Sequence, residues 1–92
     1  MIGLAPKELA IVRAILSKYP YRFYAFGSRA KGTQRRFSDL DLCYKDAIPE
    51  RVLAELDAAF EESDLPFKVD LINFSKISDD FKRLIEKDLG PI

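Results

Sequence analysis

The spacing of apolar residues along the chain predicts three amphipathic helices. The first two cover residues 6–18 and 49–62, and each has a proline at its start. Ser78 can cap a third helix, which a Gly-Pro pair ends near the end of the sequence. The inner face of this last helix is expected to consist of four apolar residues: Phe81, Leu84, Ile85 and Leu89.

Three shorter segments have the composition and alternation of β-strands. Residues 21–26 are rich in aromatic side chains, and residues 39–45 alternate between apolar and polar positions. Residues 67–73 are apolar almost throughout, which predicts a largely buried, central strand. Between the first two strands, a Gly-Ser pair turns the chain into a short helix over residues 28–32. The element order predicts an α/β (α+β) fold, in which a small mixed sheet of three or more strands is covered by helices.

Size and charge narrow the class of protein. The chain has 92 residues, of which 48% are apolar, and this predicts a single domain over residues 1–92. Fifteen basic residues balance fifteen acidic ones, so no general basic field exists to attract nucleic acid. The sequence has no signal-peptide pattern and no run of about 18 apolar residues, so we expect a cytoplasmic protein with no membrane partner.

The residue types present also limit the available chemistry. The chain has no histidine, which excludes Ser-His-Asp and Cys-His catalysis and any imidazole metal site within it. Its one cysteine, Cys43, cannot form an intrachain disulfide or a thiolate zinc site. A bound metal would therefore need oxygen ligands, which favours magnesium or manganese over zinc.

Three aspartates are candidates for those ligands. Asp39 and Asp41 lie two residues apart in a predicted strand, so they are about 6.6 Å apart on the same face. Asp70 lies within the third strand and joins them if the two strands are neighbours. Such a group repels itself unless a cation binds between its members. The alternatives are a solvent-facing strand edge for the pair, and for Asp70 a salt bridge to Lys68 or to an arginine.

The Gly27-Ser28 turn is a candidate phosphate site. Because Gly27 ends a strand and Ser28 begins a helix, free backbone N–H groups and the positive helix end meet there. The alternative is a simple helix cap, for which serine is a preferred residue. A P-loop is excluded, since Thr33-Gln34 stands where that motif needs Lys-Ser/Thr. The Gly-x-Gly-x-x-Gly dinucleotide signature is absent as well.

Together these motifs resemble a known family pattern. Nucleotidyltransferases of the DNA polymerase β superfamily have Gly-Ser, then about ten residues, then Asp-x-Asp, and a third carboxylate on a later strand. The fuller form Gly-Ser-Arg-Ala-x-Gly…Ser-Asp-Leu-Asp-Leu, present here as residues 27–42, resembles the minimal nucleotidyltransferases (MNT), including the antitoxins that are paired with HEPN proteins. Segments 60–71 and 77–87 are similar to that group too, so the resemblance covers nearly the whole chain.

The resemblance implies a fold like the polymerase β palm and a role for each motif residue. Asp39, Asp41 and Asp70 would be the catalytic residues and the ligands of two Mg²⁺ (or Mn²⁺) ions, with ATP as substrate. Nucleotide binding is expected to involve four residues: Gly27, Ser28, Arg29 and Ser38. The acceptor oxygen would attack the α-phosphorus, and pyrophosphate would leave.

The basic residues of the motif region have more than one interpretation. Arg29 and Lys31 add charge near the phosphates, or they are solvated or face a partner. Arg35 and Arg36 lie in the connection between the motif parts, where they contact nucleotide, acceptor or partner, or are simply solvated.

The resemblance also implies a partner. Minimal members of the family are typically paired with a small helical protein, of the HEPN class or a substrate-binding type. The favoured function is therefore a metal-dependent transfer of AMP from ATP to a hydroxyl on that partner, as the antitoxin of a HEPN/MNT pair. The alternative is a non-catalytic subunit that neutralises or scaffolds its partner by contact. Nucleic acid is a disfavoured acceptor, and a homodimer or hetero-oligomer is possible.

Overall fold

The structure, a computed structural model, describes residues 3–92. The single domain predicted for residues 1–92 stays a prediction, and its first two residues lie outside the described part. The elements in chain order are α1 (Pro6–Leu16), β1 (Tyr24–Phe26), α2 (Ser28–Lys31), β2 (Leu40–Tyr44), α3 (Glu50–Glu62), β3 (Val69–Asn73), a 3₁₀ turn (Phe74–Lys76), α4 (Asp79–Glu86) and β4 (Gly90–Pro91). No helix within residues 3–92 is both long and apolar enough to cross a membrane.

The four strands form one sheet in the order β3-β2-β1-β4. Strand β1 pairs antiparallel with both β2 and β4, whereas β2 and β3 are parallel. A parallel pair needs a long crossover connection, and α3 provides it. The mixed α/β sheet covered by helices confirms the predicted fold class.

The two faces of the sheet have different helical cover. Alternate residues of β2, namely Leu40, Leu42 and Tyr44, point into the larger core with α1 and α3. The smaller core on the other face lies between the sheet and α4, where the rings of Phe26 and Phe81 meet edge to face at 6.0 Å. The alternation predicted for residues 39–45 therefore matches the observed burial on both faces.

Strand β3 corrects one prediction. The apolar segment 67–73 was expected to be a central strand, yet β3 is an edge strand and all five of its residues are at least partly exposed. Val69 and Leu71 pack into the larger core, and Ile72 packs into the smaller one. Its apolar composition thus reflects helices covering both faces, which says nothing about whether a neighbouring strand covers its edge.

The C-terminal region differs from the prediction at two points. Leu84 was expected on the inner face of the last helix but is 61% exposed. Successive helix residues lie about 100° apart, so Leu84 and Ile85 cannot both face the sheet, and Ile85 is the buried one. The Gly-Pro pair that was expected only to end that helix forms β4, beside Tyr24 and Ala25. An edge position suits proline because it has no N–H to donate.

The helix starts are close to those predicted. Pro6 is the first residue of α1, and the Oγ of Ser78 accepts a hydrogen bond from the backbone N–H of Phe81 at 3.1 Å. The helix over residues 6–18 and the strand over 21–26 are shorter than expected, because a turn and a bend occupy residues 17–20 and residues 21–23 have no regular structure. This turn leads the chain into β1, which ends at the Gly27-Ser28 pair.

Candidate functional site

The parallel pairing of β2 and β3 brings two of the candidate carboxylates together. Asp41 and Asp70 are register partners, so their backbones are about 4.8 Å apart and their side chains leave the sheet on the same face. Asp39 immediately precedes β2, two residues from Asp41. The strand neighbourhood on which the sequence argument for Asp70 depended is therefore present.

The electrostatics of Asp41 reflect this arrangement. The pKa of its carboxyl is raised first by burial, then by the charge of Asp70, then by that of Asp39. Within residues 3–92, no lysine or arginine forms a salt bridge with any of the three, so the alternative of a Lys68–Asp70 pair is wrong. The group thus has excess negative charge that no side chain of the described residues neutralises.

This charge suits a divalent cation, and the available donors are carboxylate oxygens, which Mg²⁺ and Mn²⁺ prefer. In the described part of the chain, however, no group of three or more His, Cys, Asp or Glu side chains is close enough to hold a metal ion. The backbone positions are compatible with such a site, because carboxylates on neighbouring strand positions can approach one another by side-chain rotation. The three residues are suitable, in side-chain type and in position, for binding two divalent metal ions. That they bind metal stays a prediction.

The Gly27-Ser28 turn lies against the carboxylates. Gly27 follows Phe26, the register partner of Asp41, and has φ 78° and ψ −157°, a conformation that is essentially restricted to glycine. A Cβ atom on Gly27 would also lie 2.7 Å from Oδ2 of Asp41. Two independent constraints therefore select glycine here, and the candidate phosphate turn contacts a candidate metal ligand.

Ser28 begins α2, as predicted. Its carbonyl accepts hydrogen bonds from the backbone N–H of Thr33 at 2.9 Å and from the Thr33 hydroxyl at 3.4 Å, which closes the turn. The N-cap position is occupied by Gly27, which has no side chain that could cap the helix, and not by Ser28. The Ser28 side chain is half-buried, and the proposed contact of its hydroxyl with phosphate stays a prediction.

Arg29 was predicted either to add charge near the phosphates or to be solvated or face a partner, and the structure shows a third arrangement. Its side chain is only 3% exposed, so it is neither solvated nor facing a partner. The guanidinium donates to the carbonyls of Ser38 at 2.8 Å, Gly3 at 2.7 Å and Arg36 at 3.3 Å, and it lies 3.9 Å above the ring of Phe67. Each guanidinium nitrogen thus donates to a backbone carbonyl, which makes the group part of the scaffold. A contact of Arg29 with nucleotide stays a prediction.

Ser38, the fourth residue expected to bind nucleotide, closes the loop before Asp39. Its hydroxyl oxygen accepts from the backbone N–H of Arg35 at 2.8 Å, and its own N–H donates to the Arg35 carbonyl at 3.1 Å. The structure thus gives Ser38 a local role in shaping the turn. Its contact with nucleotide stays a prediction.

The other basic residues of the motif region are exposed. Lys31 forms a salt bridge with Asp88 at 3.4 Å, so it is not simply solvated. Arg35 has no ion pair among the described residues, and the guanidinium of Arg36 lies 5.2 Å from the ring of Phe37. Phe37 is 63% exposed, two residues before Asp39. An exposed aromatic ring therefore lies next to the candidate carboxylates.

A cavity of about 370 Å³ opens beside Asp70, and its acidic lining was not predicted from the sequence. Asp57 and Glu61 of α3 line it, above apolar side chains that include Phe60 and Phe67. The pKa of Asp57 is raised by burial, then by Asp70, then by Glu61. The signal was present, because Asp57 and Glu61 are four residues apart and so share one helix face, but nothing local indicated that this face meets Asp70.

Three comparisons with known proteins bear on this site. The family model described as "Nucleotidyltransferase domain" matches residues 9–92. A Haemophilus influenzae protein named "Probable protein adenylyltransferase MntA" is 43% identical over 90 residues, which cover 94% of this chain and 79% of that protein. A chain in a crystal structure of a toxin-antitoxin with AMP-PNP matches with a TM-score of 0.66 and 25% identity, over 89% of this chain and 69% of that one.

Proposed function

Because this chain belongs to the nucleotidyltransferase domain family, which its sequence motifs resemble, we propose that it transfers AMP from ATP to a hydroxyl group on a partner protein. It is a nucleotidyltransferase by family. The acceptor class is supported by the similar Haemophilus influenzae protein, which is named as a probable protein adenylyltransferase. The nucleotide and the setting are supported by the similar crystal structure, which contains AMP-PNP and is of a toxin-antitoxin.

The observation that carries this proposal is the contact between three sequence-distant parts. Asp41 lies beside Asp70 on one side and against Gly27 on the other. In the proposed reaction, Asp39, Asp41 and Asp70 would hold Mg²⁺ or Mn²⁺, in a site for two ions. When bound, these ions supply positive charge that stabilises the negative transition state at the α-phosphorus. The turn at Gly27-Ser28 holds the terminal phosphates.

The chain's own residues orient the groups that react. The acceptor hydroxyl oxygen forms a bond to the α-phosphorus, the bond from that phosphorus to the bridging oxygen breaks, and pyrophosphate leaves with the bonding electrons. Asp70 is the carboxylate that takes up the hydroxyl proton, because it lies exposed on the edge strand, where an acceptor can approach. Asp41 is more enclosed and is suited to hold the ion.

A second candidate function is partner neutralisation by contact, with the chemistry lost. The exposed ring of Phe37 favours it, because it lines a surface depression with Leu65, Pro66 and Phe67, and contiguous exposed apolar surface often contacts other proteins. The partner we propose is a small helical protein, HEPN or substrate-binding in type, with this chain as the antitoxin. The two functions differ in whether the carboxylates are required.

Labelled ATP separates the two functions. The full chain is incubated with Mg²⁺, the product of the adjacent gene, and ATP labelled at the α- or γ-phosphate. We expect label on the partner from α-labelled ATP alone, and none with Asp39→Asn or Asp41→Asn. Equal, background labelling by the wild type and both variants, together with an intact complex, would overturn the catalytic proposal and support neutralisation by contact. Label from γ-labelled ATP would indicate phosphorylation instead.

A further inference from the structure

Arg29 is the one charged residue among the buried residues of the range 3–92. No carboxylate accompanies it: each of its three nitrogens donates to one backbone carbonyl, and the group lies over the face of an aromatic ring. Burying a guanidinium is costly unless its N–H groups find partners, and here the partners come from three different segments. The side chain therefore holds those segments at fixed distances from one another.

Two of these segments, and the turn that carries Arg29 itself, contribute to the candidate site. The Ser38 carbonyl belongs to the residue immediately before Asp39, and Phe67 lies three residues before Asp70. Arg29 itself follows Ser28 in the phosphate turn. A backbone hydrogen bond from Leu40 N–H to the Lys68 carbonyl, at 2.8 Å, joins the same two segments where the parallel pairing of β2 and β3 begins. Arg29 thus links the Gly-Ser turn to the segments that lead into β2 and β3.

The N-terminal segment completes the arrangement. Gly3 N–H donates to the Arg29 carbonyl at 2.6 Å, while the Arg29 guanidinium donates to the Gly3 carbonyl at 2.7 Å. A Cβ atom on Gly3 would collide with the Gln34 side chain, so the segment lies tightly against the loop. This reciprocal pair covers one side of the guanidinium, as Phe67 covers another.

We propose that Arg29 is a positioning residue for the metal-binding aspartates: it sets the separation of Asp39 and Asp70 without contacting nucleotide or metal. This inference rests on the proposed function. Lysine cannot replace it, because a single ammonium lacks the planar fork that reaches separate carbonyls and stacks on a ring. The consequence is that the Arg29→Lys variant should bind metal more weakly than its loss of stability explains.

The test compares Arg29→Lys with Val12→Ala, which leaves a cavity in the larger core among residues other than those of the candidate site. Both variants of the full chain are expected to unfold at lower temperature than the wild type. Mn²⁺ affinity is measured by titration at a temperature where each is folded. We expect Arg29→Lys to weaken Mn²⁺ binding about 10-fold or more, in the range seen when supporting partners of metal ligands are lost, and Val12→Ala to leave it unchanged.

If Arg29→Lys does not fold, Phe67→Leu replaces it, since this change removes the ring beneath the guanidinium and leaves the carbonyl bonds. Weaker Mn²⁺ binding by folded Phe67→Leu would support the inference. Equal Mn²⁺ affinity in the wild type and the folded Arg29 or Phe67 variant would overturn it and leave the proposed function intact. A wild type that neither binds Mn²⁺ nor transfers AMP would overturn both.

Discussion

The Cα of Gly27 faces the carboxylate of Asp41 so closely that a Cβ there would lie 2.7 Å from Oδ2, and the carboxylate would have to move to admit it. Strand pairing produces this contact: Gly27 follows Phe26, which is opposite Asp41 in the antiparallel ladder. The Gly-Ser motif and the Asp-x-Asp motif are therefore in direct contact. A change in one is expected to disturb the other.

Replacing Gly27 with alanine is expected to disable the site. The backbone conformation costs about 1–3 kcal/mol for a residue with a Cβ, and the new methyl group displaces the Asp41 carboxylate. We expect Gly27→Ala to lower both Mn²⁺ affinity and AMP transfer by at least about 100-fold, on the order of losing a charge-stabilising group. Titration with Mn²⁺ and labelled ATP measures the two losses.

Gly32→Ala provides the matched control. Gly32 also has positive φ, at 75°, but no atom lies within 4 Å of the position of its missing Cβ. Alanine there should cost about 1–2 kcal/mol of stability from its left-handed backbone, with Mn²⁺ affinity retained. Equal loss of metal binding in both variants would show that backbone strain, rather than contact with Asp41, is responsible.

Asp41 is expected to destabilise the metal-free protein at neutral pH. Its pKa in the folded state is raised by burial, Asp70 and Asp39, so the folded state binds the proton more tightly than the unfolded state. The free energy of unfolding should therefore fall as pH rises through the folded-state pKa. Thermal unfolding without divalent ions should show Asp41→Asn as the more stable protein near pH 7, with the difference disappearing as pH falls toward the ordinary value of 3.8.

Added Mg²⁺ should reverse that order. An ion that binds the folded state alone raises its stability by mass action, so the wild type should gain and Asp41→Asn should not. A wild type that is more stable than Asp41→Asn near pH 7 in the absence of metal would contradict the predicted sign.

Asp70→Asn and Asp57→Asn are expected to separate catalysis from local charge. Both carboxylates line the cavity of about 370 Å³, but only Asp70 is in register with Asp41. We expect Asp70→Asn to lower AMP transfer at least about 100-fold, because the loss removes both a metal ligand and the proposed proton acceptor. We expect Asp57→Asn to change it by less than about 10-fold, since Asp57 is on α3, outside the strand register. Initial rates at saturating ATP measure both, and a reversed order would contradict the assignment.

Cys43 should report on opening of the sheet. Its thiol is completely buried between β2 and α4, and burial raises its pKa, so little thiolate is available to react. A thiol reagent should modify Cys43 in denaturant but only very slowly in the native protein. Labelling rates followed through a urea titration should track unfolding measured by circular dichroism. Rapid labelling without denaturant would show that the packing of α4 on the sheet is wrong.

The sequence predicted the parts of the site that local patterns encode. Alternation located Leu40, Leu42 and Tyr44 in the core, which put Asp41 on the opposite face. The position of Asp70 beside Asp41 depends on β2 and β3 being neighbours in the sheet. The sequence did not predict that strand order, so the position of Asp70 could be predicted only on the condition that the two strands pair. The burial of Arg29 was missed because its acceptors are backbone carbonyls from other segments. Every residue has such a carbonyl, so the sequence does not show which of them will accept a hydrogen bond. The face of Leu84 depended on the rotation of α4, which packing decides.

Because β2 and β3 are paired in parallel, the candidate site exists only when the two strands are aligned in this one register. A shift of β3 by one residue would set Val69 or Leu71 beside Asp41 and would turn Asp70 toward the core beneath α1 and α3. The connection over residues 63–68 therefore sets the chemistry through its length. We expect an insertion or deletion of one residue there to be tolerated only as a loop bulge that preserves the alignment, whereas substitutions within the same connection leave it unchanged.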